Sequence, residues 1–180
     1  MDRFSAYLLV RRFLRRPESR NRALAVEVIM EELARGLGPL ARPAPESWGV
    51  MGLLSQLDLE YGESNPEARG KASRDQALLE GLDQELAESL ARTNAPGADL
   101  LANALLVADC LAVMALGRSD PGFSDATLAP SLARELELRR QTGDAEGDQL
   151  DGALSQLRLD SQEVASMAVL GLQRAAEDLR

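Results

Sequence analysis

The chain has 180 residues, 45% hydrophobic, 27% charged and only 3% aromatic, with a formal net charge of −9. This length suits one domain with a substantial core, and the composition excludes a disordered or fibrous chain. No histidine occurs, which excludes serine–histidine and cysteine–histidine nucleophile pairs and any histidine-ligated metal centre.

Few β-branched residues among many Leu, Ala, Glu and Arg favour helix over sheet, and Ile29 is the sole isoleucine. Residues 2–15 predict a first helix with Phe4, Tyr7, Leu8, Phe13 and Leu14 turned inward, and Pro17 follows it. Ser19 is the expected cap of a second helix with the stripe Ala25/Val26, Ile29, Leu33 and Leu37, stopped by Gly36, Gly38 and Pro39. After the connector Arg42-Pro-Ala-Pro-Glu46, residues 48–54 are apolar nearly all round. Gly49 and Gly52, three apart, allow a neighbour to approach closely, which marks this helix as central. Asn65-Pro66 opens a fourth helix running to about Leu82. Asp83 caps a fifth helix to about Thr93, broken by Ala95-Pro96-Gly97.

A long apolar helix over 98–116 ends at Gly117, and Asp120-Pro121-Gly122 marks a loop. Shorter helices follow over about 125–140 and 147–158. Asp160-Ser-Gln-Glu163 reads as a capping box for a final helix carrying Val164, Met167, Ala168, Leu172 and Leu179. With no strand alternation and no repeat, the expectation is one all-α domain over 1–180, a bundle of about seven to nine helices. Segments 48–56 and 98–116 lie at its centre, with Leu53, Leu54, Leu105, Leu106 and Leu111 buried.

Cys110 stands alone, which rules out an internal disulfide and points to a reducing compartment. The opening Met1-Asp2-Arg3-Phe4 lacks a signal-peptide layout, and Asp99, Asn103 and Asp109 argue against a membrane span over 98–117; a cytoplasmic protein is expected. Residues 1–22 hold seven arginines against Asp2 and Glu18, a net +5 that leaves −14 on the remainder. Arg11, Arg12, Arg15 and Arg16 fall on one side of the first helix. They are read as a solvated face pairing with acidic helices of the same molecule, because the bulk of the chain repels nucleic acid.

Two motifs fail on inspection. Gly70-Lys71-Ala72 lacks the first glycine of a phosphate loop (Asn65 stands there) and its metal-binding hydroxyl. Asp144, Glu146 and Asp148 mimic a calcium loop, but Gln149 and Ser155 replace its glycine and terminal glutamate.

Several strings follow one another in order: Arg22-Ala-Leu-Ala-Val-Glu27, Trp48-Gly-Val-Met-Gly-Leu-Leu54 with Ser55-Gln56-Leu57-Asp58, Asn65-Pro66-Glu67, and Ala104-Leu-Leu-Val-Ala-Asp109. Together they resemble the HD superfamily, metal-dependent phosphohydrolases of all-α fold, and the final helix from Leu159 and Glu163 onward is similar to that family's tail. The resemblance implies a metal site at positions that this chain has almost wholly replaced. Arg22 stands at the first histidine, Ser55 and Gln56 at the His-Asp pair, Arg69 near an auxiliary histidine and Thr93 about where another pocket histidine belongs; Asp109 alone survives. Such a set does not hold a transition metal, so no metal, no other cofactor and no catalytic residue is expected.

Two arrangements stand open for Asp109: an arginine fork from Arg22 or Arg69 substituting for the ion's charge, or hydrogen bonds from Gln56, Asn103 or helix-end amides with both arginines in water. Three functions follow from the resemblance. One is a catalytically inactive scaffold or partner-binding module with an unknown protein partner. Another is a sensor binding a small phosphorylated ligand through Arg22 and Arg69. The last is a residual hydrolase with an all-oxygen magnesium site built from Asp109 with Asp58 or Glu60. Neither a membrane nor nucleic acid is an expected partner.

Overall fold

The computed structural model describes residues 1–93, 95, 97–118 and 126–178. Ten α-helices and no strand occur among them: α1 Arg3–Phe13, α2 Pro17–Leu37, α3 Pro45–Leu54, α4 Leu59–Gly62, α5 Lys71–Leu79, α6 Gln84–Ala91, α7 Leu100–Leu116, α8 Leu128–Arg140, α9 Ala145–Leu157 and α10 Ser161–Asp178. The count exceeds the expected seven to nine because α4 is a single turn after α3 that carries no periodic signal. Pro96, the 120–122 turn and Leu179 lie outside the described residues.

The helices begin where short polar side chains satisfy first-turn amides. Asp83, Asp99 and Asp144 accept from Glu85, Ala102 and Gly147 respectively. Asp160 and Glu163 form the expected reciprocal capping box, Asp160 accepting from the Gln162 and Glu163 amides while Glu163 accepts from the Asp160 amide. Two expected caps are corrected. Ser19 sits buried in the first turn of α2, which starts at Pro17, and Glu60 accepts from the Arg15 and Arg16 amides instead. Burial raises the Glu60 pKa, but these two amides, the Ser19 hydroxyl and the Arg16 charge together hold the carboxyl below its ordinary range. Asn65 caps no helix: Pro66–Ala68 is a 3-10 turn, and α5 begins only after Gly70.

The centre of the fold is α2, packed against α3, α7 and α10, with α3 in turn touching α1, α5, α6 and α7. Every residue of α3 from Trp48 onward is buried, as are Leu105 and Leu111 of α7. Leu106 departs from expectation, since it turns toward a cleft and is only half-buried. At Gly52, a Cβ would lie 3.0 Å from the Glu27 Cα and amide nitrogen and from the Val26 carbonyl oxygen. Only hydrogen fits between α3 and the α2 backbone there.

The face of α1 is also corrected. Ala6, Leu9 and Val10 are buried, while Phe4 is 69% and Leu8 49% exposed and Phe13 is at the surface; of the expected inward residues, Leu14 is buried and Tyr7 packs half-buried against the core. Both faces carry apolar residues at helical spacing, and packing on α3 decides between them. Because α1 ends at Phe13, Arg15 and Arg16 lie in the linker, off the helix face. Arg12 pairs with Glu80, and Arg16 with Glu60 and Glu63.

Gly52→Ala is expected to destabilise the fold by about 1–3 kcal/mol through forced separation of α3 from α2. Urea denaturation measures it, and a change within the range of ordinary surface substitutions contradicts the close contact.

Candidate functional site

Local structure places the six candidate residues at one end of the bundle. Arg22 projects from the second turn of α2, and Ser55 and Gln56 follow directly on α3. Arg69 and Thr93 sit in the connections before α5 and after α6, and Asp109 lies on α7. Gly70, with φ of +79°, sets the path after Arg69; a Cβ there would be 2.5 Å from the Leu90 carbonyl oxygen. All six line a single cleft of about 390 Å³, together with Cys110, Arg139, Glu146 and Gln149.

Arg22 meets Asp109 in a two-pronged ion pair. Its Nε donates to Oδ1 at 2.8 Å and its Nη2 to Oδ2 at 2.6 Å, across 87 residues of sequence. The side chains are only 23% and 18% exposed. Arg69 stands farther off, its Nη2 3.8 Å from Asp109 Oδ2, contributing charge without a hydrogen bond. The alternative acceptance from Gln56 or Asn103 does not form. Asn103 donates to the Asp99 and Gly97 carbonyls, and Gln56 Nε2 to Ser55 Oγ at 3.1 Å. Ser55 Oγ in turn donates to the Gly52 carbonyl, and Thr93 Oγ1 to the Leu90 carbonyl. Gln56 is 2% exposed, and its Oε1 has no partner among the described residues.

Asp58 and Glu60 do not join the cleft, which corrects the all-oxygen magnesium arrangement. Glu60 is committed to the Arg15 and Arg16 amides. Asp58 is buried against α5, its Oδ2 accepting from the Ser73 amide at 2.9 Å while its own amide donates to Ser73 Oγ. Burial pushes its carboxyl above the ordinary 3.8, and the Ser73 and Gly70 amides and the Arg69 charge pull the other way.

Sequence reasoning missed Arg139, Glu146 and Gln149. They belong to α8 and α9, whose register against α7 no local pattern reveals. Arg139 pairs with Glu135 and Glu146, and its Nη1 lies 3.9 Å from Cys110 Sγ. Cys110 is therefore a half-buried lining residue rather than a fully buried one. Burial, moderated by Arg139, pushes its thiol up to about 11, so it stays protonated and weakly nucleophilic at neutral pH.

The metal that the HD resemblance implies does not suit these side chains. The one surviving carboxylate has both oxygens engaged by Arg22, and Arg69 adds a second positive charge beside it. Among the described residues, no group of three or more Cys, Asp or Glu is placed to hold an ion. No family model matches the chain, and no curated protein or solved structure matches it either.

Arg22→Ala is expected to cost about 1–3 kcal/mol, since it strands a largely buried carboxylate. Asp109→Asn in that background then recovers part of the loss. Denaturant titration of the two single variants and the double variant measures the cycle, and a loss for Arg22→Ala within roughly ±0.5 kcal/mol removes the pair from the stability account.

Asp58 gives a pH signature. Its folded-state pKa exceeds the unfolded 3.8, so its ionisation subtracts stability as pH rises through and above that value. Asp58→Asn keeps an acceptor for Ser73 and loses the charge. Relative to the parent chain it is expected to gain stability as pH rises above the unfolded-state value, and the difference levels off once Asp58 is ionised in the folded state. A pH-independent difference between the two chains contradicts the shift.

Proposed function

We propose that this chain is a catalytically inactive, HD-like helical domain that serves as a scaffold or partner-binding module. One observation carries the reading: the Arg22 guanidinium bonds both oxygens of Asp109, the single carboxylate left among the positions that the resemblance assigns to metal. A hydrolase of that class needs ligands that hold an ion and acidify bound water. An arginine fork offers neither. It neutralises the buried carboxylate and ties α2 to α7, which is the service a structural ion pair performs.

A second reading has a specific observation behind it. Arg69 and Arg139 line the same cleft as the Arg22–Asp109 pair, and guanidinium groups suit phosphate. A non-hydrolytic sensor of a small phosphorylated ligand is the alternative function. It is separated from the first by whether nucleotides raise the melting temperature in the absence of metal.

The test joins elemental analysis of the purified protein with thermal melts and hydrolysis assays on a nucleotide panel, with and without Mn²⁺. The inactive-domain reading expects no stoichiometric Mn, Fe or Zn, no melting shift with these ions and no metal-dependent hydrolysis. Saturable Mn²⁺ binding that disappears in Asp109→Ala overturns it and restores the hydrolase.

A further inference from the structure

The outward face of α1 is both apolar and basic. Phe4, Leu8, Arg11 and Arg12 recur on it at helical spacing, and all four are exposed. Arg12 lies over the Phe13 ring, 5.5 Å from its centroid. The chain has only three phenylalanines, and α1 holds two of them at the surface. Aromatic and arginine side chains are the ones enriched at the centre of protein interfaces.

The patch continues onto α5. Arg12 Nη1 lies 3.8 Å from Glu80 Oε1, which brings the end of α5 beside α1. Leu79, the residue before Glu80, is 81% exposed. Asp75, one turn earlier, pairs with Arg74 of its own chain, which leaves Glu80 as the acid at this end.

The charges select what covers this surface. They are of both signs, since Glu80 stands beside Arg12 and Glu63 beside Arg16. A uniformly anionic surface, such as a lipid bilayer or a nucleic acid, is repelled by those carboxylates and by the net −14 carried beyond residue 22. A second copy meets no such penalty. Its patch has the same basic part on α1 and the same acidic part at the end of α5, and a two-fold rotation sets each on its opposite. Within one chain, Arg12 and Glu80 are too far apart for a hydrogen bond. Arg11 has no ion pair among the described residues.

We propose that the chain forms a two-fold homodimer in which α1 of each protomer lies on the α5 end of the other. Phe4 and Leu8 pack on the partner's Leu79, Arg11 and Arg12 face the partner's Glu80, and symmetry repeats the contact. None of these residues lines the Arg22–Asp109 cleft, so the dimer is independent of the inactive-domain reading.

Sedimentation equilibrium of the full chain tests it, with Arg12→Glu, Glu80→Arg and an equimolar mixture of the two variants. The parent is expected to dimerise with a Kd on the order of tens of micromolar, because the paired faces are small. Each single variant opposes like charges at both contacts and is expected to dimerise at least about tenfold more weakly. The mixture puts opposite charges at both contacts and is expected to recover the parent's affinity, which only a cross-chain contact explains. Leu79→Asp changes a side chain that the fold leaves exposed. It is expected to weaken the dimer by a similar factor with an unchanged far-UV spectrum, and it carries the test if a charge variant fails to fold. The proposal is overturned by a parent that stays monomeric to about 0.5 mM, by folded variants that dimerise like the parent, or by a mixture no better than its components. A monomer that instead sediments with phosphatidylserine vesicles also overturns it and gives the face to a membrane.

Discussion

The contact at Gly52 sets the spacing on which the rest of the structure depends. With no Cβ in the way, α3 lies directly on the α2 backbone at Val26 and Glu27. That proximity buries Trp48, Met51, Leu53 and Leu54 in one layer. It also places Ser55 and Gln56, at the end of α3, along the same cleft as Arg22 from α2. The same closeness buries the Glu27 side chain to 1% exposure. Burial raises the Glu27 carboxyl pKa, and Arg3 opposes this through hydrogen bonds of 2.5 and 3.0 Å. A tight helix pair thus creates a buried charge, and α1 supplies its partner.

Arginine recurs as the answer to buried carboxylates. Arg3 reaches Glu27, Arg22 reaches Asp109, and Arg35 and Arg174 both reach Glu32. The two-pronged Arg3 and Arg22 pairs and the Arg174 bond link helices that the apolar core already brings together, while Arg35 bonds within α2; each is directional where hydrophobic contact is not. Asp58 is the contrast. It depends on the Ser73 and Gly70 amides with a more distant Arg69 charge, and, as at Glu27, burial prevails in raising its pKa. Charge–charge bonding across helices ties Asp109 of α7 to Arg22 of α2.

The cleft chemistry follows from the same arrangement. Asp109 is bonded on both oxygens and the Cys110 thiol stays protonated. Glu146 faces Arg139. The described acidic and thiol groups there are paired or neutral.

Much of this was legible from residues alone. Composition and 3.6-residue periodicity determined an all-helical chain, and Asp83 and Asp160 mark helix starts because a capping carboxylate acts within three residues of itself, whereas the caps by Asp99 and Asp144 were read only in the structure. The 48–56 and 98–116 segments were expected at the centre because their residues are largely apolar. Tertiary packing decided what local pattern leaves degenerate. It chose Ala6, Leu9 and Val10 over Phe4 and Leu8 as the buried face of α1, and it gave the amides before α2 to Glu60 rather than Ser19. It also settled the pairing of Asp109. From sequence, Arg22, Arg69, Gln56 and Asn103 were all chemically competent partners. Only the positions of α2 and α7, set by apolar packing far from the charges, bring Arg22 within 2.6 Å of the carboxylate and leave Arg69 at 3.8 Å.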